Sequence, residues 1–322
     1  VRKLSAVSLL FAGSMLSSGI AATSAAAVQL TSQSRSVHAE SSIEASLFGP
    51  NPFDSPLLTL QDADSADASA SDFGPFDGDV ASASPDVLPF PLIGTGAASQ
   101  MSSLSATSLS ASASTDVVSD GDWLSEPQVA IVNEQLAPPT FSFVEQDDTS
   151  TGESLFSVSF DVSAPTPYTL TGSLGVSSAR LFGAGGVFTP LTTAAGSIEL
   201  RHALGGSVAQ IQIDQLDFCV FDPQSGEGSC SPGSLPLSAQ GLLAPGSYVL
   251  EATATSSAET TCHIVASVFD CRDSSSDASF TLDLTFGPPF APAVPVLGPT
   301  ALGLLSLALA AGGGRALRRA HA

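Results

Sequence analysis

Between residues 139 and 290 the apolar side chains return at every second position, and this period limits the fold more than any other feature. Phe156, Val158, Phe160 and Val162 alternate with serines and with Asp161. Tyr168, Leu170, Leu174 and Val176 keep one parity across Gly172. Ile198 and Leu200, then Tyr248, Leu250, Ala252 and Ala254, then Phe280, Leu282, Leu284 and Phe286 repeat the pattern. A period of two buries one face of a strand and leaves the other to solvent. The runs are separated by turn signals: Ala164-Pro165-Thr166-Pro167, the glycines at 183–186, and Pro245-Gly246. Between 208 and 221 the apolar parity shifts near Asp214-Gln215, which predicts a β-bulge or a tight turn there. Many short strands with almost no helical period predict an all-β domain. An antiparallel β-sandwich, jelly-roll-like, is the expected architecture over 139–290.

Residues 28–138 read differently. Serine, alanine and aspartate dominate, as in Asp62-Ala63-Asp64-Ser65-Ala66-Asp67-Ala68. Such a stretch has little apolar surface to set against its ordering entropy, and it is expected to be a disordered stalk or linker.

Four cysteines, Cys219, Cys230, Cys262 and Cys271, lie in the β region. An even number in an exported chain reads as disulfides. Of the three possible connectivities, the two local pairs, Cys219–Cys230 and Cys262–Cys271, are favoured. Each would close a short loop. The rival is a metal site, for which the chain offers no CxxC pair and only His263 nearby.

The two ends look like addresses. Arg2 and Lys3 precede an apolar run at 4–16, and Ala25-Ala26-Ala27 offers a small-residue cleavage site. Residues 1–27 therefore read as a signal peptide cut by signal peptidase after Ala27. At the other end, 291–322 combines a proline-punctuated lead, an uncharged apolar run at 300–314 and the basic residues Arg315, Arg318 and Arg319. A helix over 299–317 rises about 28 Å at ~1.5 Å per residue, close to a bilayer's hydrocarbon core. The expectation is a single C-terminal transmembrane helix, with its arginines at the headgroups.

This tripartite tail resembles the PEP-CTERM family of bacterial sorting signals. Its motif, Val294-Pro295-Val296-Leu297-Gly298-Pro299, is closer to the IPTL or VPxL variants than to Pro-Glu-Pro. The resemblance implies handling by an exosortase-like transpeptidase and a place at the bacterial cell surface or in its extracellular matrix. In addition, Leu243-Ala244-Pro245-Gly246-Ser247-Tyr248-Val249-Leu250 resembles a strand common in secreted bacterial β-sandwich modules.

Charge narrows the partners. Of nine basic residues, two lie in the leader and three in the tail. The body between them holds 31 acidic residues against four basic ones, a net charge of −27. Such a field repels nucleic acid and keeps the chain soluble. No constellation for catalysis stands out, and no catalytic residue, metal ligand or cofactor is assigned. HExxH and GxSxG are absent. Asp147-Asp148 and Asp214 with Asp217 are the carboxylate pairs a glycosidase would need, but they suit exposed loops and strand edges better. Asp77-Gly78-Asp79 and Asp120-Gly121-Asp122 are fragments of a calcium loop without its closing glutamate. The sequence thus points to a structural or adhesive envelope protein. A polysaccharide- or calcium-binding module is the alternative, and a secreted hydrolase comes third.

Overall fold

The structure is a computed structural model that describes residues 27–48, 58–83, 92–121, 143–179, 192–222, 227–265, 268–270 and 274–289. Fifteen strands are present among them: β1 (Val28–Phe48), β2 (Leu58–Ser69), β3 (Phe76–Ala83), β4 (Leu92–Leu104), β5 (Ser108–Gly121), β6 (Phe143–Val162), β7 (Thr166–Ser178), β8 (Thr192–His202), β9 (Ser207–Asp214), β10 (Cys219–Asp222), β11 (Glu227–Cys230), β12 (Gly233–Leu243), β13 (Gly246–Val265), β14 (Val268–Asp270) and β15 (Ser274–Phe286). They form two antiparallel sheets packed face to face. The first has the order β2-β1-β6-β13-β8-β9, with β14 added beside β13. The second has the order β12-β7-β15-β5-β4-β3, and β10–β11 is a separate hairpin. The sandwich is therefore as expected, although its sheets of seven and six strands are wider than those of an eight-stranded jelly roll.

Where the sequence alternates strongly, the structure follows it. The inward residues Phe156, Val158, Phe160, Leu170, Leu174, Ile198, Leu200, Leu250 and Leu284 are buried and form one core. Phe160 stacks on Tyr248 with ring centroids 5.8 Å apart, and meets Phe286 edge-on at 5.2 Å. The Tyr248 hydroxyl donates to the carbonyl of Ala244 at 3.0 Å, tying the Pro245-Gly246 turn to the strand that follows. Gly246 has φ +156°, and a Cβ there would lie 2.7 Å from Nε2 of His202, so the turn needs glycine. The parity shift near Asp214 is a tight turn. β9 stops at Asp214, whose carboxylate caps the 3-10 turn Gln215–Phe218 by accepting from Leu216 N at 2.9 Å.

Among the described residues of 28–138 the structure shows strands in place of the expected disorder. Five strands, β1 to β5, fall within 28–138. β1 lies between β2 and β6 in the first sheet, pairing with β6 from Val28↔Val162 to Phe48↔Phe143. β5 pairs with β15 from Ser108↔Thr285 to Ser119↔Ser274. The sheets thus take in described residues from Val28 onward, well before residue 139. The physical reason lies in the inward rows. In β5 these are Leu109, Ala111, Ala113, Thr115, Val117 and Ser119, all buried. Alternation of alanine or serine with serine has little hydropathy contrast, although its period is still two.

The interior changes along its length. Inward positions of β6 read Asp148, Ser150, Gly152 and Ser154 before reaching Phe156. Those of β13 run from Tyr248 and Leu250 to Ser256, Ala258 and Thr260, and those of β15 run from Leu284 back to Ser276 and Ser274. One end is thus apolar and large, the other polar and small. At the small end the sheets come very close. A Cβ on Gly96 of β4 would sit 2.6 Å from the Thr151 carbonyl oxygen of β6.

Cys219 and Cys230 face each other in the β10–β11 hairpin and are bonded, with Cα atoms 4.1 Å apart. Serine at both positions is expected to lower stability by about 2.5–3 kcal/mol in the chain-entropy picture, read by calorimetry. The second pair extends outside the described residues. β13 and β14 end their pairing at His263↔Asp270, next in sequence to Cys262 and Cys271, and Cys271 is not among them. The leader up to residue 26 and the tail from residue 290, with the motif at 294–299 and Arg315, Arg318 and Arg319, also lie outside. Among the described residues, no helix is long and apolar enough to cross a membrane.

Candidate functional site

Polar chemistry gathers in three places: between the sheets, on the outer face of the first sheet, and on the outer face of the second.

Between the sheets, hydrogen bonds take over where large side chains stop. Arg35 of β1 is 1% exposed. Its guanidinium donates to Gln33 Oε1 at 3.0 Å, Ser102 Oγ at 3.0 Å and the Asp72 carbonyl at 2.5 Å, and lies 5.7 Å from the Phe76 ring centroid. Burial pulls this guanidinium below its ordinary pKa, while the Asp72 carboxylate opposes the shift. Further along, Gln100 Nε2 donates across the gap to Ser154 Oγ at 2.9 Å and the Leu155 carbonyl at 2.8 Å. Ser41 bonds both Ser82 at 3.0 Å and Ser150 at 3.2 Å. At the far end Ser119 donates to Asp148 Oδ2 at 2.6 Å, and Thr260 Oγ1 meets Ser274 Oγ at 3.1 Å. Each of these contacts except Ser41–Ser150, Arg35–Gln33 and Arg35–Asp72, whose acceptor lies in the turn between β2 and β3, joins one sheet to the other. The network is a fastening and not an open cleft.

On the outer face of the first sheet, Glu44 and Asp147 are cross-strand neighbours. With Ser42, Gln61, Asp62 and Thr149 they line a shallow hollow of about 580 Å³, where the Gln61 amide donates to Glu44. Nearby, His38 Nδ1 is 2.7 Å from Asp67 Oδ1, and Nε2 is 3.6 Å from Glu40 Oε2. The hydrogen bond to Asp67 is the main cause that raises the His38 pKa.

On the second sheet, Asp116 of β5 stands directly opposite Asp277 of β15, and Ser177 donates to Asp277 at 2.6 Å. Partial burial first, then the charge of Asp277 and a hydrogen bond to it, raise the Asp116 pKa. A raised carboxyl pKa means that the folded state binds the proton more tightly than the unfolded chain. The favourable term is complete below the unfolded pKa and is lost as pH rises through the folded one. Asp116→Asn should therefore stabilise the protein at neutral pH and give no gain in acid, as thermal melts across pH would show. Beside this pair a second hollow, about 290 Å³, is lined by Asp77, Ser99, Met101, Ser112, Ser114 and Thr281 among others.

The carboxylate pairs considered from sequence do not assemble. Asp147 faces outward in the first hollow, while Asp148 is buried between the sheets. Asp214 caps a turn whose first residues include Asp217. Asp77 and Asp79 lie in an extended strand and not in a calcium loop. Among the described residues no three histidine, cysteine or acidic side chains come together as a metal site. Sequence reasoning missed Arg35 and Gln100, and it put Asp148 at an exposed edge where the structure buries it. Arg35 had a signal: it shares the parity of the buried Val37 and Ala39, and it is the only basic residue in a long acidic stretch.

No family model matches the chain, and no curated protein matches it. Among solved structures it is similar to an arabinose-bound GH51 α-L-arabinofuranosidase at 12% identity, covering 42% of this chain and 19% of that one, with a TM-score of 0.16. It is also similar to infectious bursal disease virus structures. The Gx strain gives 10% identity over 88% of this chain and 74% of that one, and the Gt strain 11% over 88% and 87%, both with TM-scores of 0.17. The chain spans only about a fifth of the arabinofuranosidase.

Proposed function

We propose that this protein is an exported, surface-anchored or matrix-associated structural or adhesive component of a bacterial envelope, without catalytic activity. The observation that carries the reading is the build of the body. Three adjacent strands, β1, β6 and β13, run 21, 20 and 20 residues, about 65–70 Å each at ~3.3 Å per residue. They are fastened by inter-sheet hydrogen bonds and accompanied by a disulfide, which suits an oxidising compartment. Such a body is a spacer. The leader at 1–27 would direct export, and the apolar run at 300–314, a transmembrane helix in this reading, would hold the chain at the membrane or be exchanged by an exosortase-like transpeptidase. Deletion of the gene is expected to reduce cell aggregation or matrix. Unchanged aggregation and matrix would count against the role.

The second reading, a polysaccharide-binding module, is favoured by the hollow beside Asp116 and Asp277, a largely apolar floor with serine and threonine hydroxyls among its lining. A glycan array with and without EDTA separates the two. Hits that depend on calcium support binding, and an empty array with loss of aggregation supports the spacer.

A further inference from the structure

Among the described residues, β2, β9, β3 and β12 end the two main sheets, with the short β14 a further edge beside β13, and three of those four ends are guarded against pairing with another chain. β2 carries Asp62, Asp64 and Asp67, β3 carries Asp77 and Asp79, and β12 carries Pro236. Charges and proline at a sheet edge are the usual devices that keep it from adding a foreign strand. β9 is guarded only at its two ends, by a β-bulge at Val208 and by Asp214, and its run from Ala209 to Ile213 has no such device. From Ser207 to Ile213 it reads Ser-Val-Ala-Gln-Ile-Gln-Ile, and its only charge is Asp214 at the end. The surroundings are equally unusual for so acidic a body. β12, the strand that borders β9 across the sandwich, has no charged residue. Of the eight large hydrophobic side chains exposed among the described residues, six lie on this flank or the turns beside it: Leu204, Val208, Leu216, Val220, Leu235 and Leu242.

We propose that β9 pairs with β9 of a second copy, antiparallel about a two-fold axis, so that the first sheet runs through the dimer. The charge of the body selects this partner geometry. With a net −27, two copies repel over most of their surfaces, and the β9 flank is the approach that sets uncharged backbone against uncharged backbone. The strand is also self-complementary. An axis through Ile211 puts Gln210 of each copy opposite Gln212 of the other, side chains that donate and accept equally well. Both glutamines are exposed, and Ala209 and Ile211 are only half-buried at the open flank, where a second copy would cover them. Because the attraction is backbone and apolar while the repulsion is ionic, added salt strengthens the dimer. This inference does not depend on the envelope role.

The test is sedimentation equilibrium of the full chain in a non-ionic detergent, at low and high salt. Wild type is expected to be a dimer that tightens with salt. Gln210→Lys with Gln212→Lys sets like charges against each other and should weaken it by roughly tenfold or more. Lysine at 210 faces Glu199 of its own β8, so the fold is kept, which circular dichroism and the melting temperature verify. Gln210→Thr with Gln212→Thr should keep the dimer, and so should Ser65→Lys on β2. A monomeric wild type at all concentrations overturns the proposal, as does a lysine variant that associates as tightly as wild type.

Discussion

Gly96→Val is expected to cost more than about 4 kcal/mol, beyond the ordinary range for a single substitution. The cause is backbone meeting backbone. The new Cβ would lie 2.6 Å from the carbonyl oxygen of Thr151 and 3.1 Å from that of Glu40, both in the opposite sheet. A flexible side chain moves aside at small cost, whereas two paired strands do not. The sheets must separate there, and the bonds at the polar end, such as Ser41 to Ser82, stretch with them. For a domain of this size each 1 kcal/mol shifts the melting temperature by ~2–4 °C, so the drop should be about 10 °C or more. Gly96→Ala should fall in the same direction. A thermal melt followed by circular dichroism measures both, and a melting temperature within a degree or two of wild type would refute the close approach.

Arg35→Ala is the second large effect, about 3–5 kcal/mol. The loss has two sources. Removing the guanidinium leaves the buried Ser102 hydroxyl without its donor, and takes a donor from the Asp72 carbonyl and Gln33 Oε1, which are only partly buried. It also leaves an empty volume against Phe76. Arg35→Met refills the volume without the donors and should lose less than alanine. A buried cation exchanged for an apolar side chain of similar length is often tolerated. Chemical denaturation of the three proteins checks the order wild type, methionine, alanine. An alanine variant as stable as wild type would place Arg35 in solvent.

Legibility in the sequence followed side-chain size. Phe156–Val162 and Phe280–Phe286 announced themselves because a large apolar residue beside serine or aspartate leaves no doubt about which face is inward. Tyr248 and the Pro245-Gly246 turn did the same for β13, although the strand continues in register to Val265, further than its apolar row. In β5 the inward row of alanine, threonine and valine faces outward serine and aspartate, and the hydropathy difference between Ala113 and Ser114 is too small to signal a face. What orders such a strand is its neighbour. β5 is held along its length by β15, and β1 by β6, each anchored in the large-residue core. Local entropy accounting treats 28–138 alone and has no place for that pairing. The candidate sites were less legible. A fastening network needs partners from two sheets, such as Gln100 with Ser154, and no spacing in the chain links positions 54 residues apart.

The central claim is that the alanine- and serine-rich strands belong to the sandwich as fully as the phenylalanine-rich ones. Amide hydrogen exchange read by mass spectrometry tests it most directly. Residues 98–102 of β4 and 111–117 of β5 are expected to exchange slowly, within the same protected class as 156–162 of β6, because all three lie in paired interior strands. Exchange of 98–102 and 111–117 at the rate of an unstructured peptide, with 156–162 still protected, would contradict it.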